Sequence, residues 1–77
     1  MVRHMTIDEH IGKKIKAKRK ELKMTQEALA ELTHLSRSYI YLIEVGKKSL
    51  TVSTLNRIRK VFNVSFNYFF SGSDANS

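Results

Sequence analysis

The sequence predicts an all-α fold of five short helices packed in a single domain. Three observations carry this. Apolar residues recur every three or four positions along most of the chain, and strand-like alternation is hard to find. Proline is absent and only three glycines occur in 77 residues, so little interrupts a helix. At the breaks between periodic stretches stand Ser, Thr or Asp able to cap the next helix, or Gly or Asn able to end the last.

The first helix is expected from about Asp8 to Lys23, with Thr6 or Asp8 as its cap. Asp8 and Glu9 fall in its first turn, and Lys20 and Lys23 lie at its far end, where each sign suits the helix dipole. Ile11, Ile15 and Leu22 form its buried stripe, and Arg19 falls on that stripe too. Thr25 caps the second helix, opened by Gln26, Glu27 and Ala28 and continued by Leu29, Ala30, Leu32 and Thr33. His34 and Leu35 interrupt it. Ser36 caps the third, Arg37 to Val45, and Gly46 is free to turn left-handed after it. Lys47 to Leu50 form a short basic loop.

Thr51 or Ser53 opens the fourth helix, whose apolar positions are Leu55, Ile58, Val61 and Phe62; Asn63 is a left-handed terminator. Ser65 caps a last short helix, Phe66 to Phe70, ended by Gly72. The domain so defined covers residues 8–71. Residues 1–7 are read as an N-terminal extension, whose His4-Met5 junction is compatible with a cloning remnant ahead of a native start at Met5. Residues 72–77 are read as a flexible polar tail.

Charge narrows the function. Fourteen Lys/Arg against seven Asp/Glu give a formal charge of +7, which attracts polyanions. On charge alone nucleic acid, an anionic membrane and an acidic protein compete. The first helix lacks the broad apolar face of a membrane-surface helix, and no apolar run is long enough to cross a bilayer. With no secretory signal visible, a cytoplasmic, nucleoid-associated protein is expected. There is no cysteine, and His4, His10 and His34 lack ligand spacing, so no metal and no cofactor are expected. No Ser/His/Asp arrangement or glycine-rich phosphate loop points to an enzyme.

Gln26 to Val45 fits a helix-turn-helix, two short helices crossing steeply through a tight turn. Ala30 supplies the small residue at the crossing. Leu29, Thr33, Leu35, Ile40 and Ile43 seal the inner side. His34 stands where the turn needs a left-handed residue, a region in which His is enriched. The outward side of the third helix is then Ser36, Arg37, Ser38, Tyr39, Tyr41, Leu42 and Val45. Arg37 is the prime candidate for base readout, because a guanidinium matches guanine O6 and N7. Ser38 suits a base or phosphate, Tyr39 and Tyr41 suit sugars, thymine methyls or phosphates, and Leu42 offers apolar contact.

Thr25 and Gln26 lie at the second helix's N-terminus, a phosphate site, and Lys47 and Lys48 can clamp the DNA backbone. Arg19 and Glu44 both face the core and are expected to meet there, since an unpaired buried charge is costly. The lysine run Lys13, Lys14, Lys16, Lys18, Lys20 and Lys23 reads first as a solvated face. The aromatic C-terminal cluster exceeds what one small core can bury. A two-fold dimer through Phe66, Tyr68, Phe69 and Phe70, helped by Leu50, Val52 and Val64, is therefore expected. It would set two recognition helices about one DNA turn, ~34 Å, apart.

Several segments carry a resemblance: Met24-Thr25-Gln26-Glu27-Ala28-Leu29-Ala30, Leu35-Ser36-Arg37-Ser38-Tyr39-Ile40 and Ile43-Glu44-Val45-Gly46-Lys47-Lys48, with Leu55, Ile58 and Asn63-Val64-Ser65 beyond. Over roughly residues 9–70 the chain resembles the DNA-binding domain of lambda-type phage repressors and Cro, the Xre-like family. The resemblance implies a five-helix lambda repressor-like domain that binds a palindromic double-stranded DNA operator as a homodimer. It implies a backbone contact from Gln26, base readout from Arg37 and Ser38, a phosphate contact from Tyr39 and an internal pair of Arg19 with Glu44. His34 departs from a common Gly, Val45 from a frequent polar or basic residue, and Leu50 from a frequent Pro. The Ser49–Thr51 stretch is similar to the restriction–modification controller proteins within the family. With no sensing domain in view, no small-molecule ligand is expected. The alternative is a protein-interaction module, an antitoxin or adaptor on the same fold.

Overall fold

The structure, a computed structural model, describes residues 5–71. Within them lie α1 (Ile7–Glu21), α2 (Gln26–Thr33), α3 (Arg37–Glu44), α4 (Val52–Phe62) and α5 (Phe66–Phe70), with no strand among the described residues. The first four helices start by one local device, a side-chain oxygen accepting from the backbone amide three residues on. Thr6 accepts from Glu9, Thr25 from Ala28, Ser36 from Tyr39 and Thr51 from Thr54, all at 3.0–3.1 Å. At α1 the Glu9 carboxylate answers by accepting from the Thr6 amide at 3.0 Å, a capping box. Ser65 holds the cap position of α5 without a side-chain bond.

Two helices differ in extent from the sequence reading. Helix α1 begins at Ile7, because Thr6 is the cap, and it ends at Glu21. Lys23 then takes a left-handed conformation (φ 58°) that turns the chain away. Leu22, expected on the buried stripe, thereby leaves it and is 43% exposed. Helix α3 stops one residue early, at Glu44, with Val45 as its cap and Gly46 left-handed. His34 and Asn63 also adopt left-handed conformations, at φ 60° and 59°, and end α2 and α4. Residues 1–4 and 72–77, which include the junction read as a cloning remnant, Gly72 and the polar tail, lie outside the described residues.

Helix α1 packs on α3 and α5, α2 packs on α3 and α4, and α4 packs on α5. Ile15, Leu29, Ile40, Ile43, Ile58 and Phe69 are fully enclosed between them. Three polar residues join this core: Thr33, whose hydroxyl donates to the Leu29 carbonyl at 2.7 Å, and Arg19 and Glu44. Gly12 marks the tightest crossing. A Cβ there would stand 2.3 Å from the Ile43 carbonyl oxygen, so only glycine lets α1 approach α3 this closely. Among the described residues no helix is long and apolar enough to cross a membrane.

Candidate nucleic-acid interface

The α2–turn–α3 unit follows from its apolar pattern. Ala30, 5% exposed, sits among the core residues, and Leu29, Thr33, Ile40 and Ile43 bury the inner faces of both helices. Leu35 is half-buried against the same core. The left-handed His34 reverses the chain, and the Leu35 amide donates back to the Ala30 carbonyl at 2.9 Å, satisfying the end of α2.

One carboxylate then joins three helices. Glu44 Oε2 accepts from Arg19 Nε at 2.6 Å, and Oε1 accepts from Arg19 Nη2 at 3.0 Å and from Gln26 Nε2 at 3.1 Å. Arg19 Nη1 donates to the Met24 carbonyl at 2.7 Å, fixing the loop between α1 and α2 as well. The fork-to-fork geometry of the guanidinium and carboxylate is what allows both charges to be buried.

With its inner face held, α3 presents the start of the helix to solvent. Ser36, Arg37 and Ser38 are exposed, as is Tyr41 at 52%. Arg37 makes no hydrogen bond or ion pair with any described residue. Tyr39 and Leu42, expected on the outer side, are half-buried, and Tyr39 packs on the core. Their positions fall between the inner and outer faces of a helix that lies against two neighbours. Thr25 is exposed, with its oxygen engaged by the Ala28 amide, while Gln26 is half-buried by its bond to Glu44. Arg19, Thr25, Gln26, Glu27 and Arg37 line one open groove between the first turns of α2 and α3.

Lys47 and Lys48 project from the loop after α3, both exposed. That loop is tied to the start of α1, where Gly46 lies against Glu9 and Ser49 Oγ donates to Asp8 Oδ2 at 2.8 Å. Sequence reasoning missed this tie, which joins residues far apart in the chain with no periodic signal between them. Gln26 and Arg37 thus bring amide and guanidinium donors to one groove, and Lys47 and Lys48 are exposed on the loop that follows α3. Among the described residues no group of three His, Asp or Glu side chains stands close enough to hold a metal ion.

The residues assigned to a dimer face divide. Phe69 is a correction: it is fully buried, 6.5 Å from Phe62 and edge-on to Tyr68 at 5.4 Å between ring centres. A five-residue helix turns one side wholly into the core, and Phe69 is on that side. Leu50, Val64, Phe66 and Tyr68 are half-buried against the core, whereas Val52 is 75% and Phe70 43% exposed. Lys14 and Lys18, read as part of a solvated face, are half-buried, with ammonium groups 4.4 and 5.8 Å from the Tyr68 ring centre.

The helix-turn-helix (HTH_3) family profile matches residues 15–69. The transcriptional regulator RamB of Mycobacterium tuberculosis is 37% identical over 65 residues, 84% of this chain and 14% of that protein. The immunity repressor protein of Bacillus phage phi105 is 48% identical over 48 residues, 62% of this chain and 33% of the repressor. The chain thus spans a third or less of these two curated relatives. The restriction–modification controller protein C.Esp1396I, solved bound to a 25-base-pair operator site, superposes with a TM-score of 0.75 at 37% identity, over 87% of this chain and 88% of that one. By fold, by the matched profile and by these relatives, the chain belongs to the helix-turn-helix family of DNA-binding transcriptional regulators.

Proposed function

We propose that this protein is a sequence-specific regulator that binds a palindromic operator as a two-fold dimer, with α3 in the major groove. The observation that carries the reading is Arg37. It is exposed at the first position of a helix whose inner face is buried, and its guanidinium has no partner among the described residues. A free, bidentate donor held on a rigid helix is the chemistry that reads guanine. Ser38 and Tyr41 stand beside it as further contacts, with Ser36 and Tyr39 at the edge of the interface. Thr25, Gln26, Lys47 and Lys48 supply backbone contacts around it.

Dimerisation is supported by the apolar surface left on α4 and α5, where Val52 and Phe70 are exposed. On this reading the protein acts on nucleoid DNA in the cytoplasm and has no catalytic role. Selection of bound sites from random DNA tests it. Recovery of an inverted repeat, its half-sites about one turn apart, is expected. Sedimentation with that duplex should give two chains per site. Enrichment of no sequence, or of a single half-site bound by one chain, would contradict the reading.

A further inference from the structure

Glu44 has more partners than an internal ion pair requires. Arg19 occupies both of its oxygens, and Gln26 Nε2 adds a third hydrogen bond, to Oε1, at 3.1 Å. Gln26 is the first residue of α2 and lines the open groove with Arg37. A glutamine amide carries two N–H bonds on one nitrogen. Glu44 takes one, and the other is left for an acceptor in the groove. An unanchored glutamine would lose rotamer entropy on binding, and this one has lost it beforehand.

We propose that Glu44 is a positioning residue for DNA-backbone binding. Through Oε1 it fixes the Gln26 amide so that the second N–H meets a phosphate oxygen beside Arg37. This rests on the DNA-binding reading above. A carboxylate near a phosphate would ordinarily repel it. Here Arg19 neutralises the carboxylate by a bidentate pair, and the neutral amide bridges the two anions. The consequence is mechanical. The phosphate contact of α2 and the base-reading helix α3 share one buried group, so neither can shift without the other.

The test is a double-mutant cycle of Gln26→Ala with Glu44→Asp. The Asp variant keeps the charge facing Arg19 but withdraws the oxygen from Gln26. Binding is measured to a selected duplex and to a random 25-base-pair duplex over a range of salt. In the wild-type background Gln26→Ala is expected to weaken both duplexes equally, by about tenfold, as for a hydrogen bond to a charged group. The salt slope should not change, because the lost donor is neutral, whereas losing a lysine–phosphate contact would flatten the slope by about 0.9. In the Glu44→Asp background the same substitution should cost less than about twofold.

Equal costs in the two backgrounds, or no cost in the first, would overturn the proposal while leaving DNA binding intact. Failure of the unmutated protein to bind either duplex would overturn both. Should Glu44→Asp not fold, nitrogen relaxation of the Gln26 side-chain amide in the unmutated protein decides. Order comparable to the backbone is expected, and mobility matching that of the exposed Asn67 amide would refute the anchor.

Discussion

Helix α1 is held in two contrasting ways by its two neighbours. Against α3 the contact is short and directional: Gly12 brings backbones together, and Arg19 meets Glu44 through two hydrogen bonds. Against α5 it is aromatic: Lys14 and Lys18 cover Tyr68, and Phe69 is enclosed beside it. The first contact depends on angles and the second on volume. The helix proposed to present side chains to DNA is secured by bonds that define an angle. The helix that closes the core is secured by burial and leaves apolar surface at its margin.

The largest effects should separate these two modes. Glu44→Ala leaves Arg19 buried and unpaired, at a cost of about 3–5 kcal/mol. Phe69→Ala opens a cavity of comparable cost, about 3–5 kcal/mol. Conservative changes then part company. Glu44→Gln should still cost about 2–3 kcal/mol, because the charge on Arg19 loses its counterpart. Phe69→Leu should cost less than about 2 kcal/mol, because apolar volume is largely kept. In a chain this small each kcal/mol moves the thermal midpoint by about 4–8 °C, so circular dichroism resolves the difference. Equal tolerance of the two conservative variants would erase the contrast.

Gly12→Ala comes next. Its methyl would meet backbone oxygen, which cannot swing aside as a side chain can, so α3 must move. A loss of about 1–3 kcal/mol is expected on thermal unfolding, as for overpacking. It should be accompanied by weaker DNA binding although no DNA contact is removed. A destabilised variant with unchanged affinity would show that the angle of α3 is not what the crossing protects.

Arg37→Ala should do the reverse. It should cost about 1–3 kcal/mol in operator binding, relax selection at one base pair and leave the thermal midpoint alone. The smallest effect is His34→Gly. Glycine relieves the left-handed strain at φ 60°, offset by its greater freedom when unfolded. A gain below about 1 kcal/mol with unchanged DNA affinity is expected, and a loss would mean that the imidazole has a role in the turn.

The sequence made the periodic and capped parts of this molecule legible. Thr25, Ser36 and Thr51 are capping residues placed three before the amides they serve, and His34 and Asn63 stand where a helix must end. Arg19 and Glu44 betray themselves as charges at apolar positions. What escaped were features created by tertiary approach. Gly12 carried a signal, since a glycine inside a helix is disfavoured unless something comes close, but the neighbour lies 31 residues away in sequence at Ile43. The bond from Gln26 to Glu44 and the tie from Ser49 to Asp8 have no local signature. Phe69 was misplaced because five consecutive helical residues rich in aromatics do not reveal which side faces inward.

On the proposed reading α3, braced from behind by one buried carboxylate, is the element that enters DNA. Backbone amide shifts followed while a selected duplex is added test it most directly. The largest changes should fall on Ser36 to Tyr41, Gln26, Lys47 and Lys48, while the amides around Phe69 remain still. Changes gathered on α4 and α5, with Arg37 and Ser38 unmoved, would contradict it.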